Sequence, residues 1–337
     1  MKKIVVSDIT LKAIYEQDLS LTFREKLAIA EKLDASLVDA IELPVIKNSK
    51  ENEVIYRTIA GAVKNACVKI PVGFSAESLE VAVKCVSNAY KPCLQVVLPI
   101  STAQMEYFYH VKAPVMLEKI SALVKAAKEV CECVEFVALD AFRAEEGFAV
   151  KCIKTAYEAG AAAVTIADDA GEAFPEDYDI LVKEIKNACP VDVFVQPSNA
   201  FSMASACAFS AIKAGADGVK TSAIGSYLSM STVSDVMRAK KYELNVDCNL
   251  DVTNVNSIVC AINGVADNVS EDSAQSFDNG NVKSTADMNE VSSIIKQMGY
   301  ELSDSDIGKV FEEFKKLTAK KDSIDMKELE AVIASTA

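Results

Sequence analysis

Short apolar runs alternate with amphipathic stretches through most of the chain, from Lys3 to Gly225. The runs are almost continuously apolar, which is typical of strands covered on both faces in a parallel sheet. In the stretches between them, apolar residues recur every three or four positions, which predicts helices. The predicted strands are 3–10, 38–44, 67–74, 93–100, 134–141, 162–169, 192–199 and 218–225, and the clearest predicted helices are 22–37, 113–131, 146–159 and 174–189.

Local signals agree with this alternation. Thr22 and Glu25 have the spacing of a capping box at the start of the first long predicted helix. Gly160 and Gly215 each stand between a helical stretch and an apolar run, where glycine commonly ends a helix. Eight strand–helix units in about 240 residues predict an α/β chain folded as a (β/α)8 TIM barrel. An open doubly wound sheet is the alternative, but no GxGxxG motif follows the first strand, so a dinucleotide site is not indicated.

The alternation ends near residue 248, and the remaining sequence has a different character. One short helix is predicted within 249–264, and the segment after it is rich in Ser, Asp and Asn, which indicates a linker or a mobile loop. Three helices are predicted in the last fifty residues, one of them beginning after Ser303. The predicted regions are a barrel in 1–248, a linker with a short helical remnant in 249–287, and a small helical subdomain in 288–337.

Composition narrows the possible partners. The formal net charge is −14, and a chain this acidic is repelled by phosphate backbones, so nucleic acid is excluded as a predicted partner. No apolar run is long enough to cross a bilayer, and the opening MKKIVVSDIT lacks the apolar core of a signal peptide. Ten cysteines occur without a CxxC pair or a regular spacing, which indicates free thiols in a reducing compartment. We therefore predict a cytoplasmic protein with no membrane partner.

Polar residues stand where the predicted strands end, and barrel enzymes work at the C-terminal ends of their strands. Several carboxylates and three cations gather there, which predicts a pocket for a small polar or carboxylate ligand. The alternative is that these charges pair with one another and only stabilise the barrel. Arg143 offers a planar fork that can hold a carboxylate through two hydrogen bonds. The candidate ligand-binding residues are Asp8, Ser101, Asp140, Arg143, Asp168, Gln196, Ser198 and Asn199.

Several of these residues lie in segments that resemble a known family. SDITLKAIYEQ (7–17) resembles the family's DTTLRDGEQ, LDAFR (139–143) resembles EDAGR, and VTIADDAGEAFP (164–175) resembles TINIPDTVGYTVP. On these motifs the chain is similar to 2-isopropylmalate synthase and homocitrate synthase, which are distantly related to hydroxymethylglutaryl-CoA lyase. The resemblance implies a TIM barrel, a homodimer and a Claisen condensation of acetyl-CoA with a 2-oxo acid. Acetyl-CoA is a possible co-substrate by this resemblance alone.

The departures from the family fall on its metal centre. Family members hold a divalent metal through the aspartate of the LRDG run and two strand-7 histidines, and the metal polarises the 2-oxo acid carbonyl. The matching positions here are Ala13, Gln196 and Ser198, while Lys12 replaces the arginine of that run. A methyl, an amide and a hydroxyl cannot replace a carboxylate and two imidazoles at a transition metal. The one histidine, His110, follows the fourth strand, so the resemblance implies that the metal cofactor and the histidine bases are absent.

The sequence therefore predicts a divergent synthase-like protein with impaired catalysis, which binds a small carboxylate or an acyl-CoA-like ligand or acts as a partner subunit. The alternative is an active enzyme in which Lys12 or Lys220 forms a Schiff base in place of the metal, with Glu42 among the candidate bases. Lys12, Glu42 and Lys220 are accordingly the candidate catalytic residues. A further alternative keeps magnesium or calcium through the oxygens of Asp8, Asp168 and Asn199.

Overall fold

A closed barrel of eight parallel strands forms the centre of the protein, which confirms the predicted TIM barrel. The computed structural model describes residues 1–336 except 18, 20, 47, 48, 74, 276–280, 284, 285, 287, 299, 301, 320 and 322. A two-residue strand, β1 (Lys2–Lys3), precedes the barrel. The barrel strands, each hydrogen-bonded to the next in chain order, are β2 (Val5–Asp8), β3 (Ala40–Glu42), β4 (Cys67–Val72), β5 (Pro92–Pro99), β6 (Val134–Leu139), β7 (Ala163–Ala167), β8 (Asp192–Gln196) and β9 (Gly218–Thr221).

Helices follow the strands along the chain. The predicted capping box is present: Thr22 accepts a hydrogen bond from the Glu25 amide, and the Glu25 carboxylate accepts one from the Thr22 amide at 2.7 Å. Gly215 ends a helix in the left-handed conformation with φ +114°, which a residue with a Cβ rarely adopts. The helices are α1 (Thr10–Glu16), α2 (Phe23–Ala35), α3 (Ser49–Ala62), α4 (Ala76–Cys85), α5 (Ala113–Val130), α6 (Phe148–Glu158), α7 (Pro175–Ala188), α8 (Ala204–Ala214) and α9 (Met230–Leu244).

The two faces of the barrel strands carry different residues. In β5, Leu94, Val96 and Leu98 are fully buried and belong to the main apolar core. Gln95 stands between them on the opposite face, because side chains alternate along a strand. Burying one such aliphatic side chain contributes about 1.5–3 kcal/mol, so one apolar face from each strand supplies a large part of the stability. The inward faces are left to carry the polar residues described below.

The region after α9 differs from its prediction at one point. A short strand, β10 (Val246–Asp247), pairs with β1 in parallel, and α10 (Val255–Gln275) follows. This helix continues through Gln275, so the prediction of a linker or loop from residue 265 is wrong for 265–275; residues 276–280 of that segment lie outside the described residues. The reason is periodicity: Val259, Ile262 and Ala266 are buried at helical spacing across the predicted boundary.

The C-terminal region contains the three predicted helices around a core of its own. Val291, Phe314 and Leu329 are fully buried in that core, one from each helix. Two three-residue strands, which the sequence analysis did not predict, pair in antiparallel orientation. Of the helices described, none combines the length and the apolar composition that a bilayer crossing requires. The elements are β11 (Asn281–Lys283), α11 (Met288–Gln297), α12 (Asp304–Thr318), β12 (Ser323–Asp325) and α13 (Met326–Thr336).

Candidate active site at the barrel mouth

Four charged side chains form a neutral network inside the barrel. The Nζ atom of Lys220 lies 2.9 Å from Oε1 of Glu42 and 3.0 Å from Oε1 of Glu135. The Nζ atom of Lys69 lies 2.6 Å from Oε2 of Glu135 and 3.9 Å from Oε1 of Glu42. None of the four residues is more than 4 % exposed. Two hydroxyls complete the layer: Ser7 donates to Glu42 at 2.8 Å and Thr165 donates to Glu135 at 2.6 Å.

Mutual attraction favours the charged forms of Glu135 and Lys69. Burial by itself would raise the pKa of Glu135, but Lys220 and Lys69 together hold the pKa of that carboxyl well below its usual range. Burial would likewise lower the pKa of Lys69, yet the carboxylates of Glu135 and Glu42 raise it above the ordinary value. The network therefore satisfies its own charges and needs no ligand.

Two of the candidate catalytic residues, Glu42 and Lys220, belong to this network and do not line the pocket described below. Lys220 is 1 % exposed, and its amine is bound by two carboxylates, so a substrate carbonyl cannot reach it without displacing them. Lys69 and Glu135 were missed by the sequence analysis. Their signal was a single charge within each of two otherwise apolar strand sequences, CVKIPV and VEFVAL.

A separate pocket of about 330 Å³ opens at the C-terminal ends of the strands. Its walls come from α1 and from the segments that follow β7, β8 and β9. Three carboxylates line it, and the described lining residues include neither lysine nor arginine, so the pocket is acidic. The lining residues are Ala13, Glu16, Gln17, Asp168, Asp169, Ser198, Ser226 and Tyr227.

A polar clasp made by Tyr227, Glu16 and Lys12 closes one side of the pocket. The Tyr227 hydroxyl donates to Oε2 of Glu16, and Nζ of Lys12 lies 3.8 Å from Oε1 of the same carboxylate. Burial, followed by the contact with Glu16, raises the pKa of Tyr227. Tyr227 also forms an isolated antiparallel bridge with Ser198. The Lys12 side chain remains 24 % exposed, so it is the candidate catalytic residue that solvent and ligands can reach.

Asp168 holds the backbone turn that follows β7. Its carboxylate accepts hydrogen bonds from the amides of Gly171 at 2.9 Å, Glu172 at 3.2 Å and Ala173 at 3.2 Å. Gly171 has φ +70°, and a Cβ there would lie 2.9 Å from Oγ of Ser198. A Cβ at position 171 would also lie 2.7 Å from Cβ of Ala200, so a residue larger than glycine there requires the turn to move.

Asp140 and Arg143, which were both predicted to bind a ligand, bind each other. Nε of Arg143 lies 2.8 Å from Oδ1 of Asp140, and Nη2 lies 2.7 Å from Oδ2. Ser101 also donates its hydroxyl proton to Oδ2. Asp140 adopts φ +56°, a left-handed conformation that costs energy for a residue with a Cβ. The planar fork of Arg143, which the sequence analysis assigned to a ligand carboxylate, is used within the protein.

Asp8 and Asn199 are likewise engaged by the protein. Asp8 is fully buried and accepts hydrogen bonds from the amide and the hydroxyl of Thr10, at 2.8 and 3.0 Å. Burial without a cationic partner raises the pKa of Asp8 to about 7. The side-chain oxygen of Asn199 accepts from the Ala204 amide at 3.2 Å. With Asp168 on its turn, each member of the alternative magnesium or calcium set already has protein donors.

The residues at the mouth do not fit the metal centre that the resemblance implies. Ala13 and Ser198 both line the pocket, and Gln196 lies at the end of β8, 3 % exposed, so the three matching positions carry a methyl, a hydroxyl and an amide. Among the described residues, no three His, Cys, Asp or Glu side chains at this mouth bring their ligand atoms within 4.8 Å of one another. His110 is exposed, and its ring nitrogen Nδ1 contacts the Glu106 carbonyl at 3.1 Å.

Comparison with known proteins agrees with the fold and with the motifs. The profile of the HMGL-like family matches residues 15–258. The 2-isopropylmalate synthase of Clostridium kluyveri is 26 % identical over 277 residues, which are 78 % of this chain and 54 % of that protein. The chain thus spans about half the length of this relative. The 2-isopropylmalate synthase of Aquifex aeolicus is 25 % identical over 378 residues, covering 98 % of this chain and 73 % of that one.

A solved structure shows the same architecture. The HMG-CoA lyase from Brucella melitensis aligns with a TM-score of 0.66 at 10 % identity, over 79 % of this chain and all of that one. At this identity the likeness establishes the fold alone. The family profile, in contrast, covers well over half of the chain and includes the pocket-lining segments from Glu16 to Tyr227. The chain belongs to the HMGL-like family.

Proposed function

We propose that this chain has lost the metal-dependent carbonyl activation of its synthase relatives and uses the barrel mouth to bind a small polar ligand. The observation that carries the proposal is the donor set at the three matching positions, Ala13, Gln196 and Ser198. None of these side chains supplies the imidazole or carboxylate that a transition metal needs. The condensation of acetyl-CoA with a 2-oxo acid is therefore proposed to be impaired.

Two features support ligand binding in spite of that loss. The pocket volume lies in the range that suits small molecules, about 300–1,000 Å³. The side-chain oxygen of Gln196 is buried and has no hydrogen-bond donor among the described residues. An acceptor of this kind is costly to bury unless a partner donates to it, and a water molecule or ligand hydroxyl admitted beneath the pocket would supply that donor.

The charges around the pocket select among ligands. Glu16, Asp168 and Asp169 oppose a multiply charged anion such as coenzyme A. Lys12 supplies one positive charge at the edge, which suits a single carboxylate. We therefore propose a small hydroxy or oxo acid with one carboxylate as the preferred ligand, and acetyl-CoA as a weak one.

Isothermal titration of the chelator-treated full chain with pyruvate, 2-oxoisovalerate and acetyl-CoA tests this proposal. The expected result is binding of a 2-oxo acid that added Mn²⁺ does not strengthen. Lys12→Ala is expected to weaken it about tenfold, equivalent to about 1.4 kcal/mol. Lys213→Ala, an exposed lysine at the end of α8, is the matched control and leaves affinity unchanged. Mn²⁺-dependent condensation at about 1 s⁻¹ or faster would contradict the proposed loss, and absence of binding by every acid would contradict the proposed ligand.

A second function rests on the position of Lys12. Its amine is partly exposed at the pocket edge, and it interacts electrostatically with Asp169 as well as Glu16. The neutral amine of a lysine in such a place can add to the carbonyl of a 2-oxo acid and form a Schiff base with loss of one water molecule. A neighbouring carboxylate can then act as the base. Borohydride reduction in the presence of pyruvate, followed by peptide mass analysis, decides this: an adduct on Lys12 supports it, and an unmodified Lys12 excludes it. Lys12→Arg is the control that keeps the charge and removes the nucleophile.

A further inference from the structure

Three cysteines that are far apart in the sequence meet at the N-terminal end of the barrel. Cys67 begins β4, Cys93 is the second residue of β5, and Cys133 directly precedes β6. Their Sγ atoms all lie within 4.8 Å of one another. All three are free thiols. The cluster therefore spans three adjacent strands at the end of the barrel opposite to the pocket.

The alternation of side chains places the cluster inside the barrel. Cys67 stands two residues before Lys69, and Cys133 two residues before Glu135, and both of these later residues belong to the interior charged network. Residues two apart on a strand share a face, so the thiols form the interior layer below that network. Cys93 is buried, while Cys67 and Cys133 are half-buried, so the cluster lies close to the surface at this end of the barrel.

The spacing of the sulfur atoms fits a soft metal ion. Zinc binds thiolate sulfur at about 2.3 Å, so two sulfurs on one ion lie no more than about 4.6 Å apart. The three sulfur atoms lie within 4.8 Å of one another, so an ion can bind all three after small side-chain adjustments. Lys69 interacts electrostatically with the sulfurs of Cys67 and Cys133. Three thiolates on Zn²⁺ carry one net negative charge, and a nearby ammonium offsets it.

We propose that Cys67, Cys93 and Cys133 form a binding site for a thiophilic cation, Zn²⁺ or Cu⁺, which ties β4, β5 and β6 together at the N-terminal end of the barrel. Each thiol that binds the ion releases its proton to solvent, and no electron is transferred. Zn²⁺ takes a water molecule as its fourth ligand, whereas Cu⁺ needs only the three sulfurs. The site serves stability, because TIM-barrel enzymes carry out their chemistry at the opposite, C-terminal end of the strands. It is independent of the function proposed for the mouth.

Titration of the reduced, chelator-treated full chain with Co²⁺ tests the site. The expected result is one Co²⁺ per chain, with a thiolate-to-cobalt charge-transfer band and the visible bands of a tetrahedral ion. Zn²⁺ is expected to displace the cobalt and remove both signals. A parallel titration with Cu⁺ against a chromophoric copper chelator shows which of the two ions binds more tightly. Absence of the charge-transfer band, or a band that persists in Cys93→Ser, would overturn the proposal.

Matched variants separate loss of a ligand from loss of the fold. Cys133→Ser, at a half-buried position, is expected to weaken Co²⁺ binding by more than about 100-fold. This exceeds the loss of about 10–100-fold that follows removal of a residue that only hydrogen-bonds to a ligand. Cys131→Ser is the control: its Sγ contacts the Cys133 carbonyl at 3.2 Å and the Pro92 carbonyl at 3.7 Å, so the site keeps its metal. Zn²⁺ is expected to raise the thermal midpoint of the wild type and of Cys131→Ser but not of Cys133→Ser. A rise of equal size in all three proteins would contradict a site at this cluster.

Discussion

The interior of the barrel and its mouth differ in how their charges are balanced. Inside, two lysines and two glutamates form a neutral set in which every group contacts an opposite charge. At the mouth, carboxylates outnumber cations, and the pocket lining contains three acids with Lys12 at the edge. A charge removed from water needs a partner, whereas a charge that water reaches does not. The interior charges are thus paired within the protein, whereas the excess acid at the mouth disfavours an anionic ligand except beside Lys12.

Removing one member of the interior network should have the largest effect. We expect Lys220→Met to lower the free energy of unfolding by about 3–5 kcal/mol, because it leaves Glu42 and Glu135 with one lysine between them. Urea denaturation at pH 7 measures this. The double variant Lys220→Met with Glu42→Gln restores neutrality and should lose less than the sum of the single variants. A Lys220→Met protein as stable as the wild type would mean that the layer is not a folding requirement.

The stability that Asp8 contributes should fall as the pH rises, because this buried carboxylate has no cationic partner. The stability that Glu135 contributes should instead fall as the pH is lowered, because two lysines contact it. The pKa of Asp8 is raised from 3.8 to about 7, so the folded chain binds this proton more tightly than the unfolded chain. Its contribution to stability is full below about pH 4 and is lost as the pH rises to about 7, by up to about 1.4 kcal/mol per unit. We expect Asp8→Asn to flatten the pH dependence of unfolding between pH 5 and 7. An unchanged slope would show that Asp8 is ionised in the folded chain throughout this range.

Variants of two adjacent aspartates at the mouth should distinguish a carboxylate that stabilises the fold from one that affects ligand binding. Asp168→Ala leaves three backbone amides without their acceptor, and we expect it to lower the free energy of unfolding by about 1–3 kcal/mol. Asp169→Ala removes an exposed carboxylate and should change stability by less than about 0.5 kcal/mol. Asp169→Ala should nevertheless strengthen the binding of a 2-oxo acid, because it removes a like charge from the pocket. Thermal unfolding and calorimetric titration of both variants provide the measurement, and equal stability losses would remove the distinction.

The hydrogen bond of the clasp at the mouth should contribute less to stability than the Asp168 turn. Tyr227→Phe removes the hydroxyl that donates to Glu16, and we expect a loss of about 0.5–1.5 kcal/mol, typical of one hydrogen bond. Tyr242→Phe, at an exposed position on α9, is the control and should match the wild type. Thermal midpoints measured side by side decide this, and a Tyr227→Phe protein identical to the control would show that the clasp does not stabilise the mouth.

The barrel could be predicted because its signals are local and repeated. Each strand is a separate apolar run, and residues such as Gly215 and Thr22 mark helix ends within a few positions. The two strands of the C-terminal region that were not predicted lack such signals. Two paired strands, Asn281–Lys283 and Ser323–Asp325, are only three residues long and gain stability from each other, not from their own sequence.

The site was predicted less completely, because its geometry depends on contacts between distant segments. Glu42 and Lys220 were predicted as candidate catalytic residues, and nothing in their order along the chain shows that they bind each other. Arg143 was assigned to a ligand although Asp140, three residues earlier, takes its fork. The cysteine cluster is the extreme case: linear spacing indicated isolated thiols, and only the register of three strands brings the sulfur atoms together.

The pairing of β1 with β10 has a consequence for how the chain can be rearranged. The Lys2 amide donates to the Asn245 carbonyl at 2.9 Å, and the Ile4 amide donates to the Asp247 carbonyl at 2.8 Å. The first and last segments of the barrel are therefore neighbours, and a short peptide could join them into a ring. New termini could then be opened in another surface loop, giving a circular permutant with the same strand order. The helix α10, which follows β10, has to be kept in such a permutant, because Val255, Val259 and Ile262 belong to the main apolar core.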